Sequence, residues 1–189
     1  MGMNKTEFCE KMLEKKILLI QGKVDGDMVC YIRESVAQLI CQGSPDVFVA
    51  ICSGGGSVTA GLDIYDILGL YSGKKTALVF NYARSMAAVI LQACEERMAT
   101  THSKIMIHHI STNDISLDTL RSEDKLNERK KAMERDQDYL YRILSDRTGK
   151  SITDITNECF KDRDMNVDEA KAFGLIDKIW TKHFPWDVK

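Results

Sequence analysis

The amino-acid sequence predicts an α/β domain with a substantially parallel sheet, and three observations carry that prediction. Strand, turn and helix patterns alternate along the chain. The run Val47-Phe48-Val49-Ala50-Ile51-Cys52 is continuous, apolar and largely β-branched, as in a strand covered on both faces. The run stops at Gly54-Gly55-Gly56, beyond which apolar residues recur at helical spacing. In parallel sheets ligands gather at such carboxyl ends of strands.

Taken in order, residues 7–16 read as a short helix and residues 16–21 as a strand carrying Ile17-Leu18-Leu19-Ile20. After a turn over 22–27, Met28, Val29, Ile32, Val36, Leu39 and Ile40 mark a helix over 27–41, which Gly43-Ser44-Pro45 ends. The helix after the glycine turn carries Leu62, Ile64, Tyr65, Ile67, Leu68 and Leu70 and closes at Ser72-Gly73. Residues 75–80 are the next strand, 81–84 a polar turn, and 85–95 a third helix. Residues 104–109 read as another buried strand, followed by a polar stretch over 111–118 and a long helical segment to about residue 147. Eleven of the sixteen residues from 121 to 136 are charged, so that segment is a solvated helix projecting from the core, docked by Tyr139-Leu140 and Ile143-Leu144. Thr148-Gly149 ends it. A short helix over 152–159, a charged connection over 161–164, a helix over 167–173 ended by Gly174, and a strand over 175–180 complete the pattern. The tail, with Pro185 and Trp186, is expected to pack on the surface or on a neighbour.

Composition narrows the class of function. The 189 residues form a single expected domain, 1–189, with 44% hydrophobic residues and room for a full core. Lys and Arg (26) nearly balance Asp and Glu (28), so no bulk field attracts nucleic acid or an anionic membrane, and small molecules or polypeptides are the natural substrates. Six cysteines without a C-x-x-C pair indicate neither zinc nor a dithiol redox motif, and read as buried thiols of a reducing compartment. Residues 1–16 have no apolar leader, and no run is long enough to span a bilayer, so a cytoplasmic location is expected.

Three sets of reactive atoms fall at strand-to-helix junctions. The glycine turn is a candidate oxyanion site, because backbone N–H groups without a Cβ beside them are open to approach. Ser85 follows a strand and turn, with Ala83 and Ala87 two residues to either side, the small residues that a nucleophile elbow requires. The competing account is that Ser85 is an ordinary helix N-cap. Ser57 is a rival nucleophile, also at a capping position. A serine needs a base, and His108 and His109 end a buried strand. Strand alternation sends them to opposite faces, so at most one joins a given site. Adjacent strand histidines cannot both turn to one ion, which argues against a metal. His102 and His183 lie in polar surroundings and are expected to be exposed. The orienting carboxylate is left open among 28 acidic residues, with Asp162 and Asp164 placed between two helices.

With these residues assembled, the chain resembles the ClpP family of serine peptidases (ClpP/crotonase-like fold) from about residue 13 to residue 179. Ser53-Gly54-Gly55-Gly56-Ser57-Val58-Thr59-Ala60-Gly61 with Ile64-Tyr65-Asp66 is similar to the family's glycine turn and following helix. Ala83-Arg84-Ser85-Met86-Ala87 resembles its nucleophile segment, and Met106-Ile107-His108 its histidine strand. Asp162-Arg163, Glu169-Ala170-Lys171 and Gly174-Leu175-Ile176-Asp177 resemble its acidic segment and closing helix. The resemblance implies repeated strand-turn-helix units with a protruding long helix, the handle. It implies Ser85 as nucleophile, His108 as base and then acid, Asp162 as orienting carboxylate, and the backbone N–H groups of Gly56 and Met86 as oxyanion hole, with no cofactor and no metal. As partners it implies a peptide or unfolded-protein substrate, a homo-oligomeric ring and an AAA+ unfoldase ATPase.

Several positions depart from the family's pattern. Gly54 replaces a proline, Asn81-Tyr82 a glycine-glutamine pair, Arg84 an alanine, Ala87 a glycine and Ile110 a proline. Arg84 is expected to alter the substrate pocket. Residues 111–118 lack the glycine-rich strand that opens the family's handle, and its pore-lining N-terminal segment is expected to be missing or very short. Peptidase chemistry is thus better supported than a double ring or an ATPase partner. Two other readings are a non-catalytic ring or scaffold subunit and a crotonase-like acyl-CoA enzyme, which shares the fold and a backbone oxyanion hole.

Overall fold

The computed structural model describes residues 4–112 and 115–182; His183 and the tail with Pro185 and Trp186 lie outside them. In chain order the elements are α1 (Lys5–Glu14), β1 (Ile17–Val24), α2 (Gly26–Cys41), β2 (Val47–Gly56), α3 (Val58–Leu70), β3 (Lys75–Arg84), α4 (Met86–Ile90), β4 (Glu96–Thr100), β5 (Lys104–Met106), α5 (Leu117–Arg121), α6 (Glu123–Thr148), α7 (Ile152–Phe160), α8 (Val167–Phe173) and β6 (Lys178–Trp180). The sheet runs β1-β2-β3-β4-β6, with β5 paired to β3, and every one of these pairings is parallel.

Cover on both faces follows from the residues. Ile17, Leu18 and Ile20 are fully buried in succession, which strand alternation permits only when both sides of the sheet are packed. One side holds the main core, where Leu18, Ile20, Val49 and Ile51 meet Ile32, Leu39, Ile64 and Leu68 of α2 and α3. On the other side Phe8, Cys9 and Met12 of α1 cover Ile17, Leu19 and Ala50. Fully burying one such aliphatic side chain contributes about 1.5–3 kcal/mol.

The structure differs from the sequence reading at several places. Residues 81–84 continue β3 rather than forming a turn. Asn81, at φ 64°, sits within an irregularity where the register against β2 jumps from Ile51↔Val79 to Ser53↔Ala83. Over that interval β3 advances four residues against two on β2, and such extra residues bend a strand; the first half of β3 pairs with β4 and its end with β5. The third helix is shorter than expected, ending at Ile90 with a tight turn over Leu91–Ala93, because β4 begins at Glu96. That strand was not anticipated, since Glu96 and Arg97 broke its apolar run. The strand over 104–109 stops at Met106. The long helical segment is split at Ser122, whose extended backbone (φ −113°, ψ 113°) lets its side chain cap α6. Finally, Cys30 and Cys41 are exposed, and only Cys94 and Cys159 are buried, so the expectation of six buried thiols is corrected.

Helix α6 projects as expected: over its 26 residues only Leu140 and Leu144 are buried. Its end is fastened through Arg97, only 5% exposed, which donates to Asp177 and Gln92 and to the carbonyls of Arg147 and Gly174. This node joins β4, α6 and the segment entering β6.

Candidate active site

The carboxyl ends of β1, β2 and β3 converge on the glycine turn. Val24 of β1 pairs with Gly56, and the hydroxyl of the fully buried Ser53 donates to the Gly22 carbonyl (2.5 Å) while accepting the Gly55 N–H (3.1 Å). Ser53 therefore fixes the turn. Sequence reasoning missed this role, although a serine ending an apolar strand before glycines was its signal. Gly55 has φ +86°, and a Cβ there would lie 2.7 Å from the Ser85 Cβ and 2.9 Å from the Met86 nitrogen. The turn lies directly against the start of α4, and only glycine permits that approach.

Ser85 occupies the N-cap position of α4, but it does not cap. Its backbone is at φ 55°, ψ −128°, and its side chain makes no capping hydrogen bond. By contrast, Ser57, Ser116, Ser122 and Ser151 all have extended backbones and side chains that accept a helix N–H. Ser57, the rival nucleophile, thus has its oxygen engaged by the Ala60 N–H (3.3 Å). A non-glycine residue in a sparsely populated region costs about 1–3 kcal/mol and persists only where its surroundings hold it. Here the Ser85 N–H donates to the Met106 carbonyl (2.9 Å), and Ala83 and Ala87 are both fully buried against their neighbours. The conformation is that of a strand-turn-helix elbow.

Beside the elbow lies a cleft of about 80 Å³ lined by Gly56, Val58, Ser85, Met86, His108 and Leu140, among others. Gly56, Ser85, Met86 and His108 are thereby brought together. Because the strand ends at Met106, residues 107–110 are irregular, and His109 lines the same cleft as His108. Alternation requires a continuing strand, so what separates the two imidazoles here is their partners rather than the faces of a strand. His109 is differently engaged: its ring packs edge-on against Phe160 (4.4 Å between centroids) and Tyr141 (6.1 Å). Ile110 donates its N–H to the Gln137 side chain of α6 (2.6 Å). His102 is exposed, as expected.

The two carboxylates left open in the sequence are separated by their partners. Asp164 receives two parallel hydrogen bonds from Arg84, at 2.7 and 2.6 Å, and lies 3.7 Å from Lys104. The hydrogen bond from Arg84 holds its carboxyl below the ordinary carboxylate range, against an opposing effect of burial. Asp162 faces the histidine instead, with Oδ1 3.9 Å from His108 Nδ1, and its side chain is 71% exposed. The Asp162 backbone has φ 44°. Arg84, expected to alter the substrate pocket, is turned to Asp164 and lies over the Tyr82 ring, 4.8 Å from its centroid. Among the described residues no cluster of metal-ligating side chains occurs.

A model of the Clp protease family matches residues 1–183. Among solved structures, the chain is similar to a mutant of ClpP1 from Listeria monocytogenes, with 21% sequence identity over 93% of this chain and 97% of that one and a TM-score of 0.81. The shared architecture is the ClpP/crotonase-like fold.

Proposed function

The chain belongs to the Clp protease family, and we propose that it is a serine endopeptidase that cleaves peptides or unfolded polypeptides through an acyl-enzyme on Ser85. The observation that carries this reading is the Ser85 backbone, held at φ 55° and ψ −128° without a capping bond, while four other helix-leading serines cap in the ordinary way. Strain at that one serine has a purpose if its hydroxyl must stand free beside the cleft.

In the proposed reaction the Ser85 Oγ attacks the scissile carbonyl carbon as His108 Nε2 takes its proton. Nε2 is the nitrogen available, because Nδ1 faces Asp162. The carbonyl π pair moves to oxygen, which the N–H groups of Gly56 and Met86 receive. As first residue of α4, Met86 has an N–H with no acceptor inside its own helix. The tetrahedral intermediate collapses, and His108 gives the proton to the departing amine. Water then attacks the ester with the same histidine as base, and collapse of the second intermediate breaks the bond to Ser85 Oγ, which takes the proton back from His108 as the acid product leaves. Asp162 stabilises the imidazolium. The apolar lining from Val58, Val89, Ile107 and Leu144 suits a small or medium apolar side chain next to the cleaved bond.

A homo-oligomeric ring and an AAA+ unfoldase partner belong to this proposal by family membership. A cytoplasmic site of action is part of it too; among the described residues no helix is long and apolar enough to cross a membrane. The second reading, a non-catalytic subunit, is favoured by one observation, the 3.9 Å separation and high exposure at His108–Asp162. Triads loosely aligned without substrate tighten in the complex.

Labelling with a fluorophosphonate, followed by peptide mapping, separates the two. An adduct on Ser85, abolished in Ser85→Ala, is expected. A folded protein that hydrolyses no peptide ester and takes no label overturns the peptidase reading in favour of the scaffold.

A further inference from the structure

We propose that the Arg84–Asp164 pair is a positioning clamp that holds the Asp162 segment in register with the Ser85 elbow; the proposal rests on the peptidase reading of that site. Asp162 is poorly fixed by its own contacts. Its side chain is 71% exposed, and its N–H reaches only the Cys159 carbonyl at 3.3 Å. Two residues later the chain is tied firmly. Arg84 Nε and Nη2 grip the two Asp164 oxygens at 2.7 and 2.6 Å, the fork-to-fork geometry that fixes direction as well as distance. Next to this, Met165 and Ile105 exchange two backbone hydrogen bonds, at 2.8 and 3.0 Å.

The other end of each tie is the catalytic neighbourhood itself. Arg84 directly precedes Ser85, and Met106, next to Ile105, accepts the Ser85 N–H. Two residues span at most about 7 Å, so anchoring Asp164 to the residue before the nucleophile confines Asp162 to the vicinity of His108. Tyr82 supports the fork from below, with its ring 4.8 Å from the guanidinium carbon. Arg84 and Asp164 touch neither the cleft nor His108, so they act through Asp162.

The variants Arg84→Lys, which keeps the charge but loses the fork, and Arg84→Met with Asp164→Asn, which removes the pair without changing net charge, test the clamp. Asp162→Asn is the comparator, and Lys130→Met with Glu134→Gln, an exposed pair on α6, is the control. Both clamp variants are expected to lower kcat on a peptide ester by about 10–100-fold, as displacement of a catalytic group by ~1 Å does, with KM within about twofold. The ¹⁵N spectrum of His108 should move in each toward that of Asp162→Asn, because each withdraws the same carboxylate. The control should match the parent in both respects. Parent-like turnover in Arg84→Lys and the double variant, a raised KM at unchanged kcat, or an unmoved His108 spectrum each overturns the clamp. The spectrum decides this even in a protein that turns nothing over, while fluorophosphonate labelling of the parent tests the peptidase reading separately.

Discussion

Substituting Gly55 by alanine while leaving Gly54 as an internal control tests whether the glycine turn and the elbow form one unit. A Cβ at Gly55 would lie 2.7 Å from the Arg84 carbonyl oxygen, 2.7 Å from the Ser85 Cβ and 2.9 Å from the Met86 nitrogen. These are backbone atoms or a strained residue's own Cβ, so none can swing aside. Alanine at φ +86° adds about 1 kcal/mol of backbone strain, and forcing the overlap costs about 1–3 kcal/mol more. The sum, about 2–4 kcal/mol, lowers Tm by roughly 5–15 °C for a chain of this length. Relief of the overlap must push Ser85 and Met86 away from the turn by several tenths of an ångström. Misplacement on the scale of ~1 Å costs about 10²-fold in rate, so labelling of Ser85 should slow by at least about tenfold. Gly54 has nothing within 4 Å of a built Cβ, and its alanine variant should stay within about 0.5 kcal/mol of the parent and label normally. Calorimetry and labelling time courses on the two variants provide the comparison. Equal Tm and equal labelling for the two would refute the reasoning, since the backbone conformation and the space around the added methyl are what distinguish them.

Asp164 has its pKa depressed by Arg84, so its contribution to stability is present above the unfolded value of about 3.9 and is lost as pH falls through the depressed folded value. Urea midpoints of the parent and Asp164→Asn should therefore differ at pH 7 and converge at the acid end; a gap unchanged down to pH 2 would contradict this. Arg97→Met should cost about 2–3 kcal/mol, below the usual figure for a broken buried pair because Asp177 is 35% exposed; a loss under about 1 kcal/mol by urea titration would show that the node is dispensable. Burial pushes the Cys94 and Cys159 thiols up to about 12, so a disulfide reagent at pH 8 should modify Cys30 and Cys41 quickly and those two only on unfolding, as read by peptide mass.

What the sequence made legible was what local pattern controls. The Val47–Gly56 strand, its glycines and the helix after it were recognisable because burial on both faces removes polar alternation and a tight junction demands residues without Cβ. Strand β4 was not, because its polar members are paired by distant partners: Glu96 by Lys74 and Lys178, and Arg97 by Asp177. The bulge at Asn81 was hidden for a related reason, since a polar residue with φ 64° reads as a turn until its neighbours in the sheet are known. The place of His109 lies beyond what alternation can give, since it stands three residues past the end of β5.

The carboxylates show the same limit most sharply at the site. Local sequence offers Asp162 and Asp164 as near equals, two residues apart in one charged connection. Their fates are decided 80 residues away, where Arg84 claims Asp164 with both oxygens and leaves Asp162 to face His108. Read singly, Arg84 in place of a small residue beside the nucleophile counts as a departure that puts a charge where the substrate is expected. Read with Asp164, the charge is neutralised in a fork directed away from the cleft, and the departure becomes a connection between the nucleophile and the segment that carries its most exposed partner. Neither residue announces this alone, because the information lies in their pairing, and pairing across the sheet is set by the register of β3 with β5 and of Ile105 with Met165.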